Sequence, residues 1–456
     1  MKTADTTAQV PEDMTGRPRR VAVGEISWRQ TFRALRHRNF RLFFYGQLTS
    51  LIGTWMQQTA LGWLVYQLTS SKFLLGAIAA AGSAPMLFFS MWGGSLADRH
   101  PKRAILVLTQ SAEMIFAFAL ALLVWLGHDR VDPWLLIFIT TLNGVAMGFD
   151  MPARQAFTLE MTSREDLMNA VSLNSSIVNG ARIIGPALAG IVMARAGAAA
   201  CFFLNGVSFL AVIAGLLMMR LPPHVKPVHA ASTRAHALGG LSYVWNHARV
   251  LTILSLFAVV GVFGWSYSVV MPAFARDVLG LSENGYGILL ASSGIGALVG
   301  ALTIATAGHF FPPRSIALTG VWIFSAMLFL FSINRNFLLA LPCLALAGFG
   351  MMLFFSTSNT TVQTIVPDEM RGRVMGVWAL IFGGMIPVGS IEAGTLANWI
   401  GTPAAIGFGA IICALAAVVT LFVARRRDAK AAENETLSQT KNATISKPAN
   451  DISKAA

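Results

Sequence analysis

Two ionisable side chains lie deep inside apolar stretches of this sequence, where their chemistry is hard to explain as packing. Glu113 and Arg182 each stand near the middle of such a stretch. A charge in hydrocarbon costs ~2.5–3.5 kcal/mol on insertion scales, so each group needs a partner, a proton or a water-filled cavity. Glu113 is therefore a candidate proton carrier or structural partner. Arg182 is a candidate for binding an anionic substrate, for neutralising an acid, or for donating hydrogen bonds between helices.

A second cluster of charged residues follows an apolar stretch, where the chain reads GGSLADRHPKR over residues 93–103. Glycines allow two helices to approach closely, the acid Asp98 ends the helix, and cations follow. A carboxylate there can face the N-terminus of a neighbouring helix, which stabilises it by ~0.3–1 kcal/mol. The pattern predicts a charged contact between helix ends, or else a positive cluster that only sets membrane topology.

Sequence patterns for enzymatic or metal chemistry are absent. The chain contains no GxxxxGK[ST] phosphate loop, no HExxH motif and no GxSxG turn. The three cysteines, Cys201, Cys343 and Cys413, lie inside apolar stretches without metal-ligand spacing. We therefore expect no enzymatic activity, no cofactor, no resident metal and no direct use of ATP.

The elements that position these residues must be membrane helices. Of 456 residues, 55% are hydrophobic and 12% are charged, whereas soluble proteins carry about 25% charged residues. This excludes a cytosolic enzyme, a secreted disulfide scaffold and a disordered regulator. The net charge of +13 is spread in short runs between apolar stretches, which indicates membrane topology and not a nucleic-acid surface.

Twelve stretches are long enough to cross ~30 Å of hydrocarbon at ~1.5 Å per residue. They cover residues 44–66, 73–97, 104–126, 133–150, 170–194, 199–219, 250–272, 285–307, 315–333, 337–358, 374–396 and 403–424. Strands of a membrane barrel would be shorter and would alternate polar with apolar residues. The fold class is therefore predicted to be an all-α integral membrane protein with twelve spans. The first 40 residues lack the short apolar core of a cleaved signal peptide.

The distribution of basic residues predicts orientation and domain organisation. Of the 34 Lys and Arg residues, 28 fall on the side of both termini and five on the other, so both termini are expected in the cytoplasm. The longest internal connection divides the spans into six and six, an arrangement typical of secondary transporters. The predicted units are a basic tail (1–40), a first half (41–220), a cytoplasmic loop (221–249), a second half (250–424) and a disordered tail (425–456).

The loop at 93–103 resembles the signature loop GxxxDRxGRR/K of the major facilitator superfamily. The matching residues are Gly94, Asp98, Arg99, Lys102 and Arg103, with Pro101 in place of the usual glycine. The resemblance implies two pseudo-symmetric six-helix halves that work by alternating access. It also implies that the loop is a cytoplasmic latch, in which Asp98 faces the start of the eleventh span and Arg99 or Arg103 reaches Asp150.

The fifth span is similar to the Gly-Pro motif of antiporters in this superfamily, which implies export. The residues that carry the motif are Gly180, Gly185, Pro186 and Gly190. The strings FRLFFYGQ (40–47), GTWMQQ (53–58) and DMPARQAF (150–157) resemble the branch of bacterial exporters that includes siderophore (enterobactin) exporters. This implies a protein of the bacterial inner membrane.

Spans one, four, seven and ten line the cavity in this superfamily, which implies a set of cavity residues. Their polar and aromatic members are Trp55, Gln58, Thr59, Trp63, Asn143, Trp265, Tyr267 and Asn359. Amphipathic aromatic rings and amides suit a bulky, weakly polar substrate. Interfacial anchoring or bonding between helices is the alternative for each of them.

Together these observations predict a secondary transporter that exports a small organic molecule, siderophore-like or drug-like, in exchange for protons. We expect it to function as a monomer whose partners are its substrate, H+ and membrane lipids, without nucleic acid. An uptake permease for a small metabolite is the alternative. A membrane-embedded enzyme or a non-transporting sensor fits less well, because paired acids, histidine clusters and an added signalling domain are not seen in the sequence.

Overall fold

The computed structural model describes residues 32–127, 131–163, 165–221 and 233–445, and every regular element in them is a helix. A 3-10 turn at Arg33–Arg36 precedes the first long helix. The helices are α1 (Arg38–Thr69), α2 (Lys72–Arg99), α3 (Lys102–Gly127), α4 (Pro133–Met161), α5 (Leu167–Met218), α6 (Thr233–Asn246), α7 (Ala248–Val259), α8 (Glu283–Ala307), α9 (Pro313–Ile333), α10 (Phe337–Ile365), α11 (Asp368–Ile400) and α12 (Thr402–Ile445). Beyond Val259, short π, 3-10 and α turns continue α7 to Val278.

Ten helices in the described part of the chain are long and apolar enough to cross a membrane. One of them, within α5, covers Asn169–Met218 in 50 residues, about 75 Å at the helical rise and enough for two crossings. Gly197 divides α5 into two arms with φ of +78°, a conformation that glycine adopts without steric cost. The ten helices thus account for eleven crossings, and α1, with 32 residues, is long enough for the twelfth.

Local sequence signals explain where several helices begin and end. The side chains of Ser71, Asp132 and Asn336 accept hydrogen bonds from the first-turn amides of α2, α4 and α10. Such caps satisfy amides that have no partner within the helix. Between α11 and α12 the chain turns at Gly401, with φ of +86°. These connections are short, so consecutive helices run antiparallel.

The helices pack as two halves. In the first half, α1 packs along α5, α2 packs along α4, and α3 contacts both α4 and α5. In the second half, α8 and α9 pack along α10, and α12 contacts α9 and α11. This is the two-half, all-helical architecture that the sequence predicted.

The halves contact each other along two pairs of helices, α2 with α11 and α5 with α8. We call the end where α2 finishes at Arg99 the Asp98 end, and the opposite end, where α1 finishes at Thr69, the Tyr66 end. Small residues bring the backbones together towards the Tyr66 end. A Cβ added to Gly394 would lie 2.9 Å from the Cα of Gly76, and one added to Gly287 would lie 3.0 Å from the Cα of Gly190.

Two predicted connecting segments differ from the structure. The predicted loop 221–249 contains helix α6, whose Gly240 packs against the backbone of Arg373 in α11; residues 222–232 lie outside the described residues. Helix α12 continues to Ile445, where the sequence predicted a disordered tail from residue 425. More than half of residues 425–445 are Ala, Arg, Lys, Glu, Leu or Gln, which are good helix formers. Residues 1–31 of the predicted basic tail and residues 446–456 also lie outside the described part.

The close approach of α2 and α11 yields a prediction. In Gly76→Leu the added side chain would collide with the backbone of Ser390 and Gly394, so we expect the Tyr66 end to open. Spin labels at Arg195→Cys and Arg335→Cys, one on each half, should be farther apart in Gly76→Leu than in the protein with Gly76. Double electron–electron resonance measures this distance. Gly376→Leu on α11 is the matched control, because nothing lies within 4 Å of a Cβ there. An unchanged distance in Gly76→Leu would contradict the prediction.

Candidate functional site

Hydrogen bonds between aromatic and acidic side chains join the two halves at the Tyr66 end. The Tyr66 hydroxyl of α1 donates to the carboxylate of Asp277. One turn earlier, the indole Nε1 of Trp63 donates to Oε1 of Glu283 at 3.2 Å, and its ring stacks on Tyr286 with centroids 5.3 Å apart. These contacts close the space between the halves at this end. Trp63, predicted to line the cavity, therefore lies in this closure.

At the Asp98 end the halves are apart. Asp98 and Arg99 are exposed, and within the described residues neither has a partner in the second half. Arg371, at the start of α11, is held by its own half, through Asp368 at 2.5 Å and the carbonyl of Gln363 at 2.9 Å. A Cβ on Gly94 or Gly372 would meet nothing within 4 Å. The predicted contact between Asp98 and the eleventh span is thus open in this conformation.

A polar surface runs from the Asp98 end into the space between the halves. Its accessible or partly accessible members lie on α1, α5 and α10, and they are Gln58, Ser175, Ser176, Asn179, Asn359, Thr360 and Gln363. The amide Nε2 of Gln363 donates to Oδ1 of Asn359 at 2.5 Å. Polar side chains exposed within a span are stable where they face water and not lipid. We infer from their accessibility that these side chains face a polar cleft between the halves, open at the Asp98 end.

Arg182 lies at the closed end of this cleft. It is at the midpoint of the first arm of α5, which runs from Leu167 to Gly197. Its guanidinium carbon is 5.5 Å from the ring centroid of Trp265, within cation–π range. Trp265 in turn packs edge-to-face on Phe355 of α10, with centroids 5.8 Å apart. Arg182 thus faces an aromatic wall contributed by the second half.

The Gly-Pro motif positions this arginine. A Cβ on Gly185, one turn after Arg182, would lie 2.5 Å from Cβ of Trp55, so α5 packs directly on α1. Pro186 has no amide hydrogen to donate, and its carbonyl lies against Gly287 of α8. Gly190 is also in contact with α8, while Gly180 faces open space. Three of the four motif residues therefore pack α5 closely, Gly185 against α1 of the same half, and Pro186 and Gly190 against α8 of the other half.

The structure separates the other predicted cavity residues. Tyr267 is buried, and its hydroxyl is 2.9 Å from the hydroxyl of Ser293. Thr59 is buried and donates to the carbonyl of Trp55 at 2.8 Å, within its own helix. Asn143 is half-buried on α4. Of the predicted set, Trp265 and Tyr267 lie beside Arg182, and Trp55 lies one turn away, against Gly185.

The cations of the predicted latch have partners in their own half. Nζ of Lys102 donates to Oε1 of Glu160 at 2.6 Å. Arg103 donates to the carbonyls of Leu217 and Met219 at 2.8 and 3.2 Å. The predicted pairing of Arg99 or Arg103 with Asp150 is not formed. The carbonyls at the end of α5 lack helical partners and carry partial negative charge, so they attract Arg103 instead.

Asp150 is instead the centre of a buried cluster between α3 and α4. Its carboxylate accepts hydrogen bonds from Thr109 at 2.9 Å and Gln110 at 2.8 Å, and it pairs with Arg154. Glu113 lies one turn after Gln110 and is 6% exposed. In the described part of the chain its Oε1 has no hydrogen-bond partner. Two buried carboxyl groups therefore share one arginine.

Sequence reasoning missed two groups of contacts. Asp277 and Glu283 flank the connection before α8, and acids on the side that carries few charges were the available signal. The second group is an ion cluster at the start of α5, where Asp166 binds His37, Arg33 and Arg36 of the N-terminal turn. The hydrogen bond from His37 and the two arginines hold the pKa of Asp166 well below its usual range. This cluster fixes the turn at Arg33–Arg36 to the first half.

Comparisons with known proteins agree with this architecture. The chain is 25% identical over 399 residues to the staphyloferrin A transporter of Staphylococcus aureus, which covers 86% of this chain and 98% of that one. It is 28% identical to the multidrug efflux pump Tap of Mycolicibacterium fortuitum, over 85% and 96% of the two chains. It is 25% identical to the enterobactin exporter EntS of Shigella boydii, over 86% and 93%.

Solved structures show the same fold. A bacterial homologue of the lysosomal transporter Spinster superposes with a TM-score of 0.68 at 13% identity, over 85% of this chain and 97% of that one. A family model described as transmembrane secretion effector matches residues 29–452. The predicted resemblance is thereby confirmed, and the chain belongs to the transmembrane secretion effector family of the major facilitator superfamily.

Proposed function

We propose that this transporter exports a small organic molecule, siderophore-like or drug-like, by alternating access, and that protons moving inwards drive it. The single observation that carries the proposal is the polar cleft, closed at the Tyr66 end by contacts between the halves and open at the Asp98 end. A binding space that opens to one side at a time is what alternating access requires.

The distribution of basic residues supports an orientation for this cleft. The Asp98 end carries most of the Lys and Arg residues, so the positive-inside rule places it in the cytoplasm of a bacterial cell. In this orientation the described conformation faces inwards and receives its substrate from the cytoplasm. A solved structure with the same fold is that of the Spinster homologue in an inward-facing conformation.

Two observations support export over uptake. The relatives include an efflux pump and a siderophore exporter. The Gly-Pro residues resemble the antiporter motif, and they pack α5 against both α1 and α8.

The buried cluster on α3 and α4 supports coupling to protons. Among the described residues, Arg154 is the cation beside Glu113 and Asp150, and two charged carboxylates there would leave one of them uncompensated. A proton on Glu113 removes this excess charge. We propose that Glu113 binds the coupling proton in one conformation and releases it in the other.

Inverted membrane vesicles provide the test of direction and coupling. With ethidium and a catecholate siderophore as probes, an inside-acid gradient should drive accumulation of at least one probe in vesicles that contain the protein. A protonophore should abolish this accumulation, and vesicles without the protein are the control. Gradient-driven loss of preloaded probe, with no accumulation, would contradict export and support the uptake alternative.

Glu113→Gln should uncouple transport from the gradient. The amide cannot bind a proton, so gradient-driven accumulation should fall to the background, while exchange of labelled for unlabelled probe without a gradient should continue. Glu392→Gln is the control, because that carboxyl lies towards the Tyr66 end of α11, away from the cluster. Gradient-driven accumulation at the wild-type rate in Glu113→Gln would contradict the coupling role.

Asp98→Asn should slow transport without destabilising the described conformation. The loss of a charge-assisted hydrogen bond in the closed latch should lower the rate by about ten-fold. Because Asp98 has no partner from the second half among the described residues here, the melting temperature should equal that of the wild type. Asp132→Asn, which keeps the cap of α4, should change neither quantity. A wild-type transport rate in Asp98→Asn would contradict the latch.

A further inference from the structure

Arg182 is a cation without a carboxylate partner in the middle of the membrane. Within the described residues no carboxylate oxygen lies within ion-pair distance of it, and the acids of the spans are engaged elsewhere. Asp150 pairs with Arg154, Glu113 lies in the same cluster, and Glu392 is near the Tyr66 end. Arginine keeps its charge in proteins, and an uncompensated charge in a low-dielectric site is costly. Arg182 is partly buried, and its contacts within the described part of the chain supply no counter-charge.

The helix facing Arg182 has an irregular backbone at that level. In α7 and its extension, residues Val260–Gly264 form a π turn and Trp265–Ser268 form a 3-10 turn. Non-α backbone within a membrane is stable where it is buried in protein or lines a cavity, and π turns inside helices often mark functional sites. The 3-10 turn contains two aromatic residues that lie near Arg182, Trp265 and Tyr267.

Hydrogen-bonding capacity at this site is concentrated on the guanidinium. The Tyr267 hydroxyl is already bound to Ser293 at 2.9 Å, and Trp265 presents its ring to Arg182 at 5.5 Å. Trp55 lies one turn away, against Gly185. The site therefore combines one planar, bidentate donor with two indole rings, and it adjoins the polar cleft that opens at the Asp98 end.

We propose that Arg182 binds the carboxylate of an anionic aromatic substrate, whose ring packs against Trp55 and Trp265. A guanidinium donates two parallel hydrogen bonds to a carboxylate, and the bound anion neutralises the charge of Arg182. Since α5 and α7 belong to different halves, the anion is held where the halves meet. This inference rests on the proposed function, because it names the substrate class of the same cleft.

Binding of a matched pair of probes tests the inference on the full-length protein in detergent. The probes are 2-naphthoate and its uncharged analogue 2-naphthamide, measured by equilibrium dialysis. The wild type should bind the carboxylate about ten-fold more tightly than the amide, the lower range of what a charge-assisted hydrogen bond contributes. Arg182→Gln should remove this preference and leave the affinity for the amide unchanged. Arg182→Lys should retain part of the preference, because it keeps the charge and loses the bidentate geometry.

Arg195→Gln is the matched control on the same arm of α5, because Arg195 is exposed near Gly197; it should keep the full preference. Equal binding of the two probes by the wild type, no binding of either probe, or a preference that persists in Arg182→Gln would overturn the inference. Gel filtration and melting curves verify that each variant is folded. Because Arg182 has no carboxylate partner in the described chain, Arg182→Gln should melt no lower than the wild type.

The binding assay needs no gradient, so its failure is distinguishable from failure of the proposed function. Carboxylate binding through Arg182 without any gradient-driven movement would support this site and contradict proton-driven export. Export of ethidium that is unaffected in Arg182→Gln, together with equal binding of the two probes, would support export and overturn the anionic substrate class.

Discussion

The architecture depends on the close approach of helix backbones between the two halves. Lipid is as apolar as leucine, so burial of hydrophobic surface does not hold membrane helices together, and close van der Waals packing must do so. Gly76 against Gly394 and Gly190 against Gly287 supply that packing. Because these pairs lie towards the Tyr66 end, the halves are joined there and diverge towards the Asp98 end. The cleft is a direct consequence of where the small residues stand.

Charges within and beside the membrane are accommodated in three different ways. Asp166 is neutralised by three basic side chains of the N-terminal turn, outside the spans. Asp150 lies deeper and is satisfied by Arg154 and two neutral donors. Arg182 has an aromatic ring as its partner and no carboxylate in the described chain. The first two arrangements stabilise one half, whereas the third faces both halves and the cleft between them.

The sequence predicted the all-helical class and the two halves, because those depend on local composition and spacing. Hydropathy located the spans, whereas the roles of Gly197 and of capping residues such as Ser71 at their ends were seen only in the structure. Hydropathy did not predict that α6 and the last part of α12 are helical, because the hydropathy of a polar or amphipathic helix resembles that of a loop. The hydrogen-bond partners of Arg103 were also predicted wrongly. Carbonyl groups at the end of a helix compete with acidic side chains for an arginine, and no residue type in the sequence indicates them. Trp63 could be assigned to the contacts that close the Tyr66 end only after the structure showed that α1 meets the start of α8 there.

The short connection within α5 has a consequence for reagents that recognise the folded protein. The chain reverses at the Tyr66 end through little more than Gly197 between the two arms of α5, and through Gly401 between α11 and α12. These turns expose almost no peptide segment that an antibody or a protease could bind. The Asp98 end instead carries the exposed ends of α2 and α11 and the surface helix α6. Conformational antibodies raised against the whole molecule will therefore concentrate on that face, and those that enter the cleft will trap the state in which it is open.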